Sequence, residues 1–118
     1  MYSNLYIVSI MREIRRDDDG ALVGFVRETD GGWEPLTVFG YPLGGPCTQE
    51  GAREEVRRFG LEVLMRPWEF RQDGEWYRCV IIEAAAEEVR VRPDDHRYPH
   101  EVYALTLVRP GPDTFRPQ

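Results

Sequence analysis

The chain has 118 residues, 42% hydrophobic and 31% charged, and its 15 basic residues against 21 acidic ones give a formal net charge of −6. That length fits one core, and the balance is too apolar for compositional disorder and too polar for a membrane protein. Every cation is an arginine, and a uniformly acidic surface repels phosphate backbones, so nucleic acid is an unlikely partner on charge alone.

The apolar run at 5–11 has no basic segment before it and no small-residue cleavage site after it, which argues against a secretory leader. No stretch approaches the roughly 20 apolar residues that span a bilayer, and the expected location is the cytoplasm. Three Asp-Gly steps follow: Asp19-Gly20, Asp30-Gly31 and Asp73-Gly74. Asp-Gly tolerates positive φ, as the tight turns between twisted antiparallel strands require, so each marks a hairpin. Strands are accordingly expected at 5–14, 21–28, 33–39, 61–71 and 76–83, with weaker ones at 88–92 and 102–109.

A two-residue turn at Asp73-Gly74 sets Phe70 opposite Tyr77 and Trp68 opposite Cys79 on one apolar face. The other face then pairs Glu69 with Arg78 as ions and Arg71 with Trp76 as a cation–π contact. The same arithmetic at Asp30-Gly31 pairs Phe25 with Leu36, Val23 with Val38 and Arg27 with Glu34. The loop at 17–20 fits a reversal of either two or four residues.

After an irregular loop at 41–47, Thr48 is the expected N-cap of one amphipathic helix. Ala52, Val56 and Phe59 form its apolar stripe, Glu54 and Arg58 its wet side, and Gly60 its C′ stop. The expected class is α+β: a mainly antiparallel sheet of hairpins with one helix packed on one face, in the order β-β-β-α-β-β plus one or two C-terminal strands. Residues 1–109 are expected to form a single domain, and 110–118 a Pro-rich tail, extended or loosely attached.

Trp33 and Pro35 lead through a loop holding Gly44 and Gly45 into Ala52-Arg53-Glu54, closed by Gly60-Leu61. This segment, about a quarter of the chain, resembles the Nudix hydrolase family. The family's paired magnesium-ligating glutamates fall where this chain has Arg57 and Arg58, and guanidinium groups repel a divalent cation. The resemblance therefore implies a phosphate ligand held by Arg53, Arg57 and Arg58, or a hydrolase without the usual magnesium site.

The remaining chemistry-bearing residues favour plain readings. His96 and His100 stand beside Asp94, Asp95 and Glu101, but Pro93 and Pro99 break the helix that a four-residue histidine spacing needs for zinc. Asp17-Asp18-Asp19-Gly20 lacks calcium-loop spacing. Cys47 and Cys79 form no Cys-x-x-Cys pair, and Cys47 has no identifiable partner base. No catalytic residue, metal or cofactor is assigned.

Trp68, Phe70 and Tyr77 are expected in the core. Trp33 and Trp76, expected on outer sheet faces, and Arg71 beside Trp76 are the candidate partner-contacting residues. The leading expectation is a non-catalytic domain binding a protein partner or a second copy of itself, as a homodimer, through that face or an edge strand. Besides the Nudix-related alternative stands a third reading, an acidic inhibitor that mimics nucleic acid, which rests only on the −6 charge.

Overall fold

The computed structural model describes residues 10–118. It contains β1 (Met11–Arg15), β2 (Leu22–Thr29), β3 (Gly32–Leu36), α1 (Gln49–Phe59), a 3-10 turn (Glu62–Met65), β4 (Trp68–Gln72), β5 (Glu75–Ala84), β6 (Glu88–Pro93), β7 (Leu105–Val108) and β8 (Phe115–Pro117). All pairing is antiparallel, in an α+β arrangement. The strands form two sheets where one was expected: β1-β2-β3, and a five-stranded sheet in the order β7-β6-β5-β4-β8. The expected strand at 5–14 begins at Met11, its earlier part lying outside the described residues. Among the described residues no helix is long and apolar enough to cross a membrane.

All three Asp-Gly steps reverse the chain, but only the third with positive φ at both residues: at the first Gly20 alone takes it, and at the second neither Asp30 nor Gly31 does. Asp73 and Gly74 both adopt positive φ, 52° and 81°, and the register places Trp68 with Cys79, Glu69 with Arg78, Phe70 with Tyr77 and Arg71 with Trp76. Across the second turn, Phe25 meets Leu36 and Arg27 meets Glu34. The first reversal spans four residues, its ends joined by Arg16 N donating to Ala21 O at 2.8 Å.

Helix α1 starts at Thr48, whose hydroxyl accepts from Gly51 N at 3.0 Å. Its buried Ala52 and Val56 join Ile14, Val23 and Val26 of the small sheet in one apolar cluster. The helix can sit this low because β2 carries Gly24 beneath it. A Cβ on Gly24 would come within 2.3 Å of Leu36 O and 2.7 Å of Val56 Cγ1. Gly60 ends the helix at φ −57°, a right-handed cap instead of the expected left-handed C′ stop. Its glycine is required by space, since a Cβ there would meet Val23 O at 2.3 Å.

Three expectations fail for identifiable reasons. First, β3 stops at Leu36, so Val38 does not pair with Val23. Thr37 N donates to Tyr41 O at 2.8 Å and Tyr41 N to Thr37 Oγ1 at 3.1 Å, which closes a tight loop. The loop sends Val38, Phe39 and Tyr41 into the core of the large sheet. Second, 61–71 is not one strand: a 3-10 turn buries Val63, whose carbonyl accepts from the Trp68 indole at 2.8 Å, and β4 begins only at Trp68. Third, the C-terminal segment is not loose. Phe115 is fully buried and stacks on Trp68 with centroids 4.4 Å apart, and β8 pairs with β4. Burying an aromatic ring of this size outweighs the reluctance of a Pro-rich segment to form regular structure.

Candidate functional site

In the large sheet, Trp68, Phe70, Cys79, Val89, Val91 and Phe115 are buried on the inner face. Strand alternation therefore turns Glu69, Arg71, Trp76, Arg78, Arg90, Arg92 and Arg116 to the opposite face. Five arginines (71, 78, 90, 92 and 116) share this outer face with Glu69, Glu83, Glu88 and Asp94, the last standing opposite Arg78 and ion-paired with it at 3.9 Å. The face holds an excess of positive charge on a chain whose net charge is −6.

Trp76 lies on the outer face beside the β4–β5 turn, half-buried, with the Arg116 guanidinium 3.8 Å above its ring centroid. Arg116 Nε also donates to Glu69 Oε1 at 2.9 Å. The expected partners were Arg71 for Trp76 and Arg78 for Glu69. Both contacts pass to Arg116 because β8 adds a strand on the far side of β4 and places Arg116 directly opposite Glu69. Arg71 is exposed across from Trp76, and Arg71, Arg90 and Arg92 make no ion pair among the described residues.

Beside this face runs a polar cleft of about 240 Å³ lined by Glu69, Arg78, Asp95, His96, Arg97 and Gln118. The Asp95 carboxylate receives the Arg97 guanidinium at 2.9 and 3.1 Å and the backbone N–H groups of Arg78 at 3.1 Å and Arg97 at 3.0 Å. The Arg97 side chain, followed by the two N–H donors, holds the Asp95 carboxyl well below the usual carboxylate range. Arg97 also donates to Trp76 O at 2.8 Å, so this latch fixes the loop after β6 against the β4–β5 hairpin. His96 lines the cleft, whereas His100 packs edge-on against Tyr98, 5.4 Å between centroids.

The other sequence candidates are dispersed. Trp33 is half-buried against the cluster under α1, with Arg12 5.9 Å over its ring, instead of on a free outer face. The β2–β3 pairing places Trp33 two residues from buried Pro35, on the same side as Val26, which the helix covers. On α1, Arg53 is half-buried, Arg58 lies over the adjacent Phe59 ring at 5.1 Å, and Arg57 lines a cleft of about 300 Å³ with Arg16, Asp17, Asp18 and Val23. Two carboxylates facing Arg57 weaken that helix as a phosphate cradle. Burial pushes the Cys79 thiol up to about 12, with Glu69 adding to the effect, while Cys47 is exposed.

The residues missed by sequence reasoning are Arg90, Arg92 and Arg116. Alternation in Glu88-Val89-Arg90-Val91-Arg92 already puts both β6 arginines on one face. No local signal shows that residue 116 joins them, because its strand depends on a tertiary contact. Compared with protein-family models, with curated proteins and with solved structures, the chain matches none of them.

Proposed function

We propose that this chain is a non-catalytic cytoplasmic binding domain whose outer five-stranded face docks an acidic protein surface, with Trp76 and Arg71 at the centre of contact. The reading rests on one observation: the face concentrates Arg71, Arg78, Arg90, Arg92 and Arg116 on an otherwise acidic molecule. Arginine forks match carboxylates in geometry, and the Trp76 ring stacked under Arg116 holds one of those forks in a fixed plane, residue types enriched where protein surfaces meet. Charge complementarity would speed encounter and exclude basic partners.

The test is a photo-crosslinking amino acid placed at position 71 and, as a control, at position 54 on the wet side of α1, in the native cells. A discrete protein adduct from position 71 and none from position 54 is the expected result. No adduct at 71, or the same adducts from both positions, overturns the proposal.

A further inference from the structure

The two sheets have four edges, β1, β3, β7 and β8. A free edge templates pairing with other chains unless charge, proline, shortness or cover blunts it. Strand β1 carries Arg12, Glu13 and Arg15. Strand β3 contains Pro35 and is covered by bridges from Leu36 to Pro42 and from Trp33 to Cys47. Strand β8 is three residues long and includes Arg116 and Pro117.

Among the described edges β7, four residues long, is the one with neither charge nor proline in its strand and no bridge across it. It reads Leu-Thr-Leu-Val with no charge, proline or bulge. Of the six exposed large hydrophobics among the described residues, three sit in it or just before it: Val102, Tyr103 and Val108, the last two 71% and 68% exposed.

The hydrogen-bond phase of β7 follows from its pairing with β6. Arg109 N donates to Glu87 O at 2.8 Å, and the register continues through Val89–Leu107 and Val91–Leu105. Residues 105, 107 and 109 thus bond inward to β6, and the N–H and C=O groups of Ala104, Thr106 and Val108 point to the open edge.

We propose that β7 is a homodimerisation edge, pairing antiparallel with β7 of a second copy about a two-fold axis at Thr106. In this register Thr106 pairs with its own copy and Ala104 with Val108 of the other chain, so every outward backbone group finds a partner. Leu105 then faces Leu107 of the other copy on the inner side. Arg109 falls opposite the exposed Tyr103 of the other copy, so pairing covers an aromatic ring that is 71% exposed in the single chain and sets a guanidinium against it. The axis stands perpendicular to the sheet, so both arginine faces lie on the same side of one ten-stranded sheet. The inference goes beyond the proposed function and does not depend on it: dimerisation and partner docking are read by separate experiments.

Sedimentation equilibrium of the full chain tests it, at concentrations up to roughly 100 μM, as suits an interface of modest area. The wild type should approach twice the monomer mass. Thr106→Lys and Thr106→Glu place like charges directly opposite across the axis. Each should weaken dimerisation at least about tenfold, and an equimolar mixture of the two should dimerise again. Because Thr106 is exposed and its N–H is not used by β6, both variants should unfold at the wild-type midpoint. Independently, Thr106→Cys in a Cys47→Ser background should crosslink into a dimer on mild oxidation, since Cα atoms about 5.5 Å apart in such a pair are within disulfide reach. A monomeric wild type, a dimer indifferent to both charged variants, or no crosslink at Thr106→Cys overturns the proposal.

Discussion

The guanidinium of Arg116 lies 3.8 Å over the ring of Trp76, joining the last strand of the sheet to the outer side of β5 across the intervening β4. The same side chain ion-pairs with Glu69 on β4 at 2.9 Å. One side chain of β8 thus shields the aromatic ring beside the β4–β5 turn and takes up the carboxylate of Glu69. Arg116→Ala should cost about 1 kcal/mol, the scale of a partly exposed cation–π contact and a screened ion pair combined. Arg116→Lys should recover part of it through the ion pair with Glu69. Urea denaturation midpoints decide: equal values for wild type and Arg116→Ala would mean that the stack contributes nothing.

Phe115 is the anchor beneath that contact. It is fully buried, stacked on Trp68 and within 6.1 Å of the Phe39 ring and 6.3 Å of the Tyr41 ring, measured between centroids. Phe115→Ala should destabilise the fold by roughly 3–5 kcal/mol, the cost of an aromatic truncation in a packed core. Removal of residues 110–118 should do at least as much, as measured by thermal unfolding. A truncated chain as stable as the full one would restore the reading of a loosely attached tail.

Asp95 gives the stability a pH dependence of known sign. Its carboxyl is held below the ordinary range in the folded chain by Arg97 and two backbone N–H groups, and Asp19, held by Arg16 and then by Ala21 N–H, is lowered to about 2. A depressed folded value means that the unfolded chain binds protons first. The contribution is fully present above the unfolded carboxylate value of about 4 and is lost as pH falls below it toward the folded values. Urea midpoints should therefore fall between pH 5 and pH 2 (roughly the window given by these values), and Asp95→Asn should flatten part of the decline. An identical pH profile in Asp95→Asn would remove the latch from the account.

Gly24 makes the seat of the helix testable. Its φ of 154° and the 2.3 Å approach of Leu36 O to a would-be Cβ leave no room for a side chain between β2 and α1. Gly24→Ala should cost about 1–3 kcal/mol through overpacking and backbone strain. Gly20→Ala, with positive φ but open space around it, should cost less. Equal losses at the two positions would assign the effect to backbone conformation alone.

The features legible in the chain alone are local ones. The Asp-Gly reversals, the cross-strand partners of Phe25, Arg27, Trp68 and Phe70, and the Thr48 cap all follow from turn geometry, two-residue alternation and short-range hydrogen bonding. These act between residues close along the chain, none further apart than Phe25 from Leu36 or Trp68 from Cys79, so a short window contains their cause. The division into two sheets, the crossing of Val38, Phe39 and Tyr41 into the second core, and the docking of Phe115 beside Trp68 depend on contacts between distant segments. Each is settled by burial of apolar surface between segments tens of residues apart, a term that no local pattern carries. The candidate face inherits this split: Arg71 and Trp76 can be read from one hairpin, whereas Arg116 reaches Trp76 only because a buried ring one residue earlier holds its strand in place.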